Sequence, residues 1–451
     1  MRLLGMIAGL LAWLSSAEAT TSPQIIIDGE LRARYESLDG QFRRGLRGSD
    51  QALFTRGLFK VEADKGPVAL GFEIQDSRAF FDDEATPLSG SFVNASDLLQ
   101  AYVRLDTRGL LGSGSRGGTV IGRQTVSISS KRQVERVSYA NVIRAFTGVH
   151  HTSTNDRGDM LHIFGVVPVN REPRDREGAA RNEFDGDDEQ WKRYLGGIHY
   201  RRKDAIPHLI SDLWVEGFTY ALYEDDGDEF ETPNREILYP GLRLYRPKAP
   251  GRWDLDLEPS IRFGTRHATS ERNDDEDLDV WAERVIAILG YTWDVPWTPR
   301  LAAEWYYASG DDDPNDDKFG TYERLFGSRR TDLNNTSLHG PLTYSNMNAP
   351  GARIEVTPGK RFDARLAYSA AFLASSTDQF QIARLRDPTG QSGTFMGHTL
   401  DSRVRYLPQN KPVVFEIGGS AFLFGEFTKT VPDGPDGNRT LFGYVQATYS
   451  F

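Results

Sequence analysis

Leu441-Phe442-Gly443-Tyr444-Val445-Gln446-Ala447-Thr448-Tyr449-Ser450-Phe451 is the stretch that decides the fold. Leu441, Gly443, Val445, Ala447, Tyr449 and Phe451 share one parity; Tyr444, Gln446, Thr448 and Ser450 share the other. Side chains alternate across a strand, so the segment has one apolar face ending in aromatics and one mostly polar face. An edge strand of a soluble sandwich alternates in the same way but seldom ends on an exposed aromatic. A transmembrane β-barrel does, because its last strand closes against its first and its outer face meets lipid. The expected partner is the strand at Ile27 to Ser37.

The other end of the chain agrees. Arg2 precedes an uncharged apolar run from Leu3 to Leu14, and Ala17-Glu18-Ala19 has the form of a cleavage site. Residues 1–19 are expected to be a secretory signal peptide, and residues 20–451 a single barrel. The run is too short for a transmembrane anchor, and no other stretch approaches a spanning helix. Mean hydropathy is −0.50 and 26% of residues are charged, so any membrane crossing must use alternating strands. Cysteine is absent, which removes disulfides and thiolate metal sites. A net charge of −11 argues against a nucleic-acid partner.

Strand patterns recur throughout. In residues 27–36, Ile27, Gly29, Leu31, Ala33 and Tyr35 oppose Asp28, Glu30, Arg32, Arg34 and Glu36. Five successive charges on one face suit a wet lumen, not a dry core. Residues 252–266 and 99–106 repeat the pattern. Strands are expected at 27–37, 52–63, 67–77, 98–106, 119–127, 145–153, 159–168, 191–202, 209–222, 235–247, 252–268, 279–293, 299–309, 342–357, 361–374, 396–407, 412–426 and 439–451. The fold class is thus an all-β, transmembrane antiparallel barrel of about 18 strands, with sixteen as the alternative. Connections after odd strands are mostly long and acidic; those after even strands are mostly short. Long outer loops and short periplasmic turns are the expected asymmetry. The Gly-rich connection 107–118 is longer than that rule allows.

Several short motifs fall in order along this pattern: Glu73 to Arg78, Gln100-Ala101-Tyr102-Val103, Gly122-Arg123-Gln124, then Arg132, Asn141, Phe146 and Gly148. Tyr306 to Asp311, Leu325-Phe326-Gly327, and Gly397-His398 with Asp401 follow. Together they resemble the alginate-export family of outer-membrane barrels. The resemblance implies an 18-stranded channel with a basic constriction, inserted among outer-membrane lipid and lipopolysaccharide by the barrel-insertion machinery that reads an aromatic C-terminus. Three departures weaken the transfer of substrate. Tyr139 stands where the family often has Trp, Thr399 where it has Glu, and a short turn, Pro408 to Lys411, where the alginate exporter has a long one.

For the site, inward parity collects Arg262, Arg266 and Arg361, which are not carried into the expected lining, and Arg32, Arg34, Arg56, Lys60, Arg104, Arg123, Arg365, Arg403 and Arg405, which are, against a similar number of acids. Arg78 closes its motif, and Arg132 and Arg144 flank a loop able to fold inward. These twelve residues are the expected pore lining, with Arg123 foremost. Guanidinium forks onto carboxylate and stays charged, so the expected cargo is an anionic polysaccharide, alginate-like, or a small anionic solute, moving passively. His150 and His151 are adjacent, so their rings point to opposite faces and make no metal pair. No cofactor or enzyme signature emerges. The alternatives are an outer-membrane enzyme, which would need a nucleophile, a His and an acid at one rim, and a structural or adhesive barrel with a plugged lumen.

Overall fold

The computed structural model describes residues 23–451 apart from 85, 229 and 334. The expected signal peptide lies outside the described residues. Eighteen long strands close one antiparallel sheet: β1 Gln24–Asp39, β2 Ser49–Lys65, β3 Val68–Phe80, β4 Asn94–Arg108, β5 Arg116–Gln124, β6 Phe146–Thr154, β7 Met160–Pro168, β8 Arg193–Arg202, β9 Trp214–Glu224, β10 Glu236–Arg246, β11 Arg252–His267, β12 Asp277–Thr292 and β13 Arg300–Ala308, then β15 Met347–Val356, β16 Phe362–Phe372, β17 Phe395–Tyr406, β18 Val413–Phe424 and β19 Arg439–Ser450. The two-residue β14, Lys318–Phe319, sits in a connection and pairs parallel with β12.

Closure is the pairing of β19 with β1, which sets Tyr449 opposite Leu31, Gln446 opposite Arg34 and Tyr444 opposite Glu36. The terminal Phe451 completes the ladder through two backbone bonds with Gly29, at 2.9 and 3.1 Å. Its ring lies over Gly29, where a Cβ would meet ring carbon at 2.1 Å.

All eighteen expected strands are present, most with ends moved by a few residues, and three of the differences have a visible cause. The strand expected from 342 begins at Met347, because Asn346 takes φ +42° and bonds back to Ser309. The one expected from 209 begins at Trp214, because residues 205–213 form a turn closed by Ala205 N–H to Leu213 O. The doubtful connection 107–118 shrinks to 109–115, since β4 and β5 both run further than expected.

The outward parity is apolar and carries aromatics at both ends. At the short-turn end Trp253 packs on Tyr291, Tyr291 on Trp293 and Phe362 on Tyr406. At the long-connection end Phe263 packs on Trp281 and Trp305 on Tyr307. Trp253 and Phe263 are ten residues apart on β11, roughly 33 Å along a strand and about 23 Å in height at a ~45° tilt. That matches the apolar band of an outer-membrane barrel.

Inside, the long-connection half is filled. Residues 125–145, between β5 and β6, and residues 309–346, between β13 and β15, fold into the lumen. Val126, Ile128 and Val134 from the first, with Tyr322, Leu325, Leu333 and Tyr344 from the second, pack on inward Phe164, Phe218 and Tyr220. The two segments are zipped together by Phe326 N–H to Gln133 O (2.9 Å) and Ser328 N–H to Lys131 O (2.9 Å). Gly327 permits this approach, since a Cβ there would lie 1.9 Å from the Arg132 carbonyl oxygen.

Candidate functional site

Most of the expected pore-lining cations on strands are already engaged. Arg32, Arg34 and Arg56 converge on three successive carbonyls of the infolded 125–145 segment. Arg32 donates to Tyr139 O (3.0 Å) and Ala140 O (2.8 Å), Arg34 to Tyr139 O (2.8 Å), and Arg56 to Ser138 O (2.9 Å) and Ala140 O (2.6 Å). Arg34 also pairs with Glu36 (2.6 Å) and Arg56 with Glu30 (2.5 Å). Lys60 and Arg104 share Glu62, at 3.3 and 2.8 Å, and Arg104 adds Asp64 at 2.6 Å. Arg403 and Arg405 share Asp363, at 2.9 and 2.8 Å. Arg123 pairs with Glu189 (2.9 Å) and donates to Leu98 O and Asp187 O, so it ties the 169–192 connection to the wall. Arg132 is buried against Asp256 (2.9 Å), Glu258 (2.8 Å) and Asp332 (2.7 Å).

Arg78 is a correction. It shares its parity with exposed Ile74 and Phe80, so it lies on the outer face of β3, paired with Asp76 at 2.8 Å. Its place in a motif had outweighed the alternation of its own strand. The motif residues also turn out to anchor segments. Asn141, buried, donates to Phe92 O (2.7 Å) and Thr55 O (3.1 Å) and accepts from Arg32. His150 and His151 do diverge; His150 instead meets His162 of β7, Nε2 to Nδ1 3.0 Å. No group of three or more metal-ligating side chains occurs among the described residues.

The arrangement differs at the long-connection end. There a cavity of about 780 Å³ is lined by Arg43, Arg44, Arg144, Arg171, Arg235, Arg324, Arg329, Arg330 and Arg384, with Glu323 as the one carboxylate in its wall. Every one of these residues lies in a connection between strands, none within a strand. Of the expected site residues only Arg144 is among them. It donates to Phe326 O (2.6 Å) and lies over the Phe326 ring, though not against any acid at ion-pair distance.

The electrostatics of the wall are those of unneutralised cations. Burial, then Arg171 and Arg324, pulls Arg144 well below the ordinary guanidinium range. Burial, then Arg324 and Arg43, brings Arg329 down to about 9. Burial, with Arg384 opposing Asp50, brings Arg43 down to about 10. A guanidinium does not give up its proton readily, so such a shift expresses demand for a counter-anion or water. Burial pushes the Glu323 carboxyl up, but Arg235, Arg262 and Arg266 outweigh it and hold it low, so it is committed to them. Three of the nine are exceptions: Arg330 pairs with Glu416 at 2.6 Å and stacks on Tyr139, Arg235 pairs with Glu224 at 2.5 Å as well as Glu323, and Arg44 pairs with Asp433 at 2.5 Å.

A closed 18-strand antiparallel barrel with an apolar outer band and a charged interior defines a porin-like channel of the bacterial outer membrane. The chain belongs to the alginate-export family, whose model matches residues 24–441. Among solved structures it is similar to a BenF-like porin from Pseudomonas fluorescens Pf-5 (TM-score 0.61, 11% identity, 95% of this chain and 98% of that one). It is also similar to OpdQ of Pseudomonas aeruginosa (0.57, 14%, 95% and 97%) and to OccK2 (OpdF) of the same organism in complex with glucuronate (0.56, 13%, 94% and 96%). At these identities the likeness is one of fold. A comparison with curated protein sequences finds no match. The long connections are therefore the outer loops and the short turns are periplasmic.

Proposed function

We propose that this channel passes anionic solutes bearing carboxylates, uronate-containing saccharides foremost, and that the arginine-lined cavity at its outer mouth is where they bind. The observation that carries this reading is the imbalance in the cavity wall: nine arginines against one carboxylate, which Arg235 of that wall shares with Arg262 and Arg266. Arginine forks match carboxylate geometry and gain strength where water is scarce. Passage needs several weak sites so that the solute can leave, and the paired charges further down supply exchangeable partners. The family's export of alginate, a polyuronate, and the glucuronate in OccK2 support the same chemistry. On this reading residues 1–19 direct secretion, the closing strand is read by the barrel-insertion machinery, and the aromatic ends face lipid and lipopolysaccharide.

Planar-bilayer recording tests it. The expected result is preference for anions over cations and concentration-dependent block by glucuronate or oligouronates. A channel indifferent to anions and unblocked by uronates would reject it. The infolded loops favour one second reading, a structural barrel without conductance, which the same recording separates by the absence of any current.

A further inference from the structure

Arg365 is the exception among the inward arginines of the strands. It occupies the fourth position of β16, near the periplasmic end, and is 9% exposed. Its guanidinium makes no hydrogen bond and no ion pair among the described residues, and Nε and Nη2 are both buried and unsatisfied. Its direct cross-strand neighbour on β17 is another cation, Arg403, whose own Nε is likewise buried and unsatisfied. Like charges directly opposite on one face repel. A buried guanidinium left without an acceptor is costly.

The nearby acids do not relieve it. Glu355, its register partner on β15, is held by Arg300 at 2.7 Å and Lys248 at 3.4 Å. Asp363 is shared by Arg403 and Arg405. Glu416 is held by Arg330 and by the Tyr444 hydroxyl at 2.7 Å. Asp401 accepts from Ser420 Oγ at 2.6 Å and from Asn335 N–H, and it lies beyond ion-pair distance of Arg365. The cations Arg403, Arg353 and Arg330 act on Arg365 electrostatically, with Asp401 as an opposing charge that is not in contact.

We infer that the Arg365–Arg403 pair is a discrete anion site in the periplasmic third of the lumen, built to take one oxyanion group, a carboxylate or a phosphate. It is distinct from the outer cavity, whose lining includes neither arginine. The inference deepens the anion-channel reading and rests on it for its role in transport. As a binding site it stands on its own geometry. Two guanidinium forks sharing one planar or tetrahedral oxyanion satisfy the unmet donors and cancel the repulsion across β16 and β17. A solute leaving the outer cavity meets a second waypoint here before it reaches the periplasm.

Crystals of the full chain grown with bromide test the site directly. The expected result is an anomalous peak within hydrogen-bond reach of the Arg365 guanidinium, lost in Arg365→Gln. That variant removes an unpaired buried charge, so it is expected to fold at least as well as the parent. Arg403→Gln serves as the second variant. In detergent solution, glucuronate or inorganic phosphate is expected to raise the melting temperature of the parent. The midpoint of that titration should weaken about tenfold or more, about 1.4 kcal/mol, in Arg365→Gln. The cavity variant Arg171→Gln/Arg384→Gln, which alters the other site, should leave the bromide peak at Arg365 in place. A response to both probes assigns a general oxyanion site; a response to glucuronate alone assigns a carboxylate solute as the occupant. Ordered water at Arg365 with no bromide peak, or identical titrations in parent and Arg365→Gln, overturns the inference. A bromide peak at Arg365 in a channel without anion preference would keep the site and remove the transport reading instead.

Discussion

Arginines on the barrel wall and arginines in the outer loops are the same side chain used in opposite ways. On the wall Arg56, Arg104, Arg403 and their neighbours meet carboxylates or loop carbonyls at 2.5–3.3 Å, and Arg132 of the infolded 125–145 segment joins them by meeting wall acids. Their charge is spent on holding the sheet and the infolded loops. In the outer cavity Arg144, Arg171, Arg324 and Arg329 face one another with scarcely an acid between them. A cross-strand neighbour lies about 5 Å away on the same face, so a strand arginine readily finds a partner there. Loop arginines brought together by chain folding have no such built-in partner, and their unmet charge is what a solute senses.

The sharpest way to break this contrast is Arg132→Met. It leaves Asp256, Glu258 and Asp332 buried without their shared cation. Removing one partner of a buried ion set costs about 3–5 kcal/mol, so the denaturant midpoint in detergent is expected to fall steeply. An unchanged midpoint would mean that the ion pairs tying the infolded segments to β11 are not structural. The opposite side of the contrast is probed by Arg171→Gln/Arg384→Gln. Glucuronate block should weaken about tenfold, about 1.4 kcal/mol, with no loss of stability, as read by single-channel recording and thermal melting.

Arg123→Gln lies between these extremes. If Arg123 ties the 169–192 loop through Glu189 and Asp187, hydrogen exchange in that loop should accelerate while glucuronate block stays as it was. A change in block with an unchanged loop would restore Arg123 as a solute contact. The same loop carries a titratable misfit. Asp187 is pushed up to about 8 by burial and then by Asp97, against about 3.9 in the unfolded chain. Between about pH 4 and 8 the folded loop holds a proton that the unfolded chain lacks, so its stability falls as pH rises through that window and levels off above it. Hydrogen exchange of residues 182–190, corrected for intrinsic rates, should show weaker protection at pH 8 than at pH 5. Asp187→Asn should flatten the difference.

Strand existence, number and facing were legible because alternation has a period of two and is written locally. Arg34 and Glu36 on one face and Leu31 and Tyr35 on the other needed no partner to be read. What parity did not carry was occupancy. It placed Arg403 inward but not Asp363 beside it, since that requires the register of β16 against β17. Where a motif was preferred to parity, at Arg78, the reading went to the wrong face. Asn141 and Leu325-Phe326-Gly327 were noticed as motif members, but their work is to seat two loops against each other and the wall.

The cavity was not legible at all, apart from Arg144. Its walls come from seven separate connections, from Arg43 to Arg384, in stretches with no period to read. The only hint was paired arginines in connections: Arg43-Arg44 in a stretch without acids, and Arg329-Arg330 in one that is otherwise acidic. The sequence by itself determined a barrel of about eighteen strands, sixteen being the alternative, closed by Leu441 to Phe451 against the first strand, because each strand declares its two faces through its own neighbours. Only the tertiary structure decided which arginines are spent and which are free. Charge neutralisation depends on distances of a few ångströms between residues hundreds of positions apart.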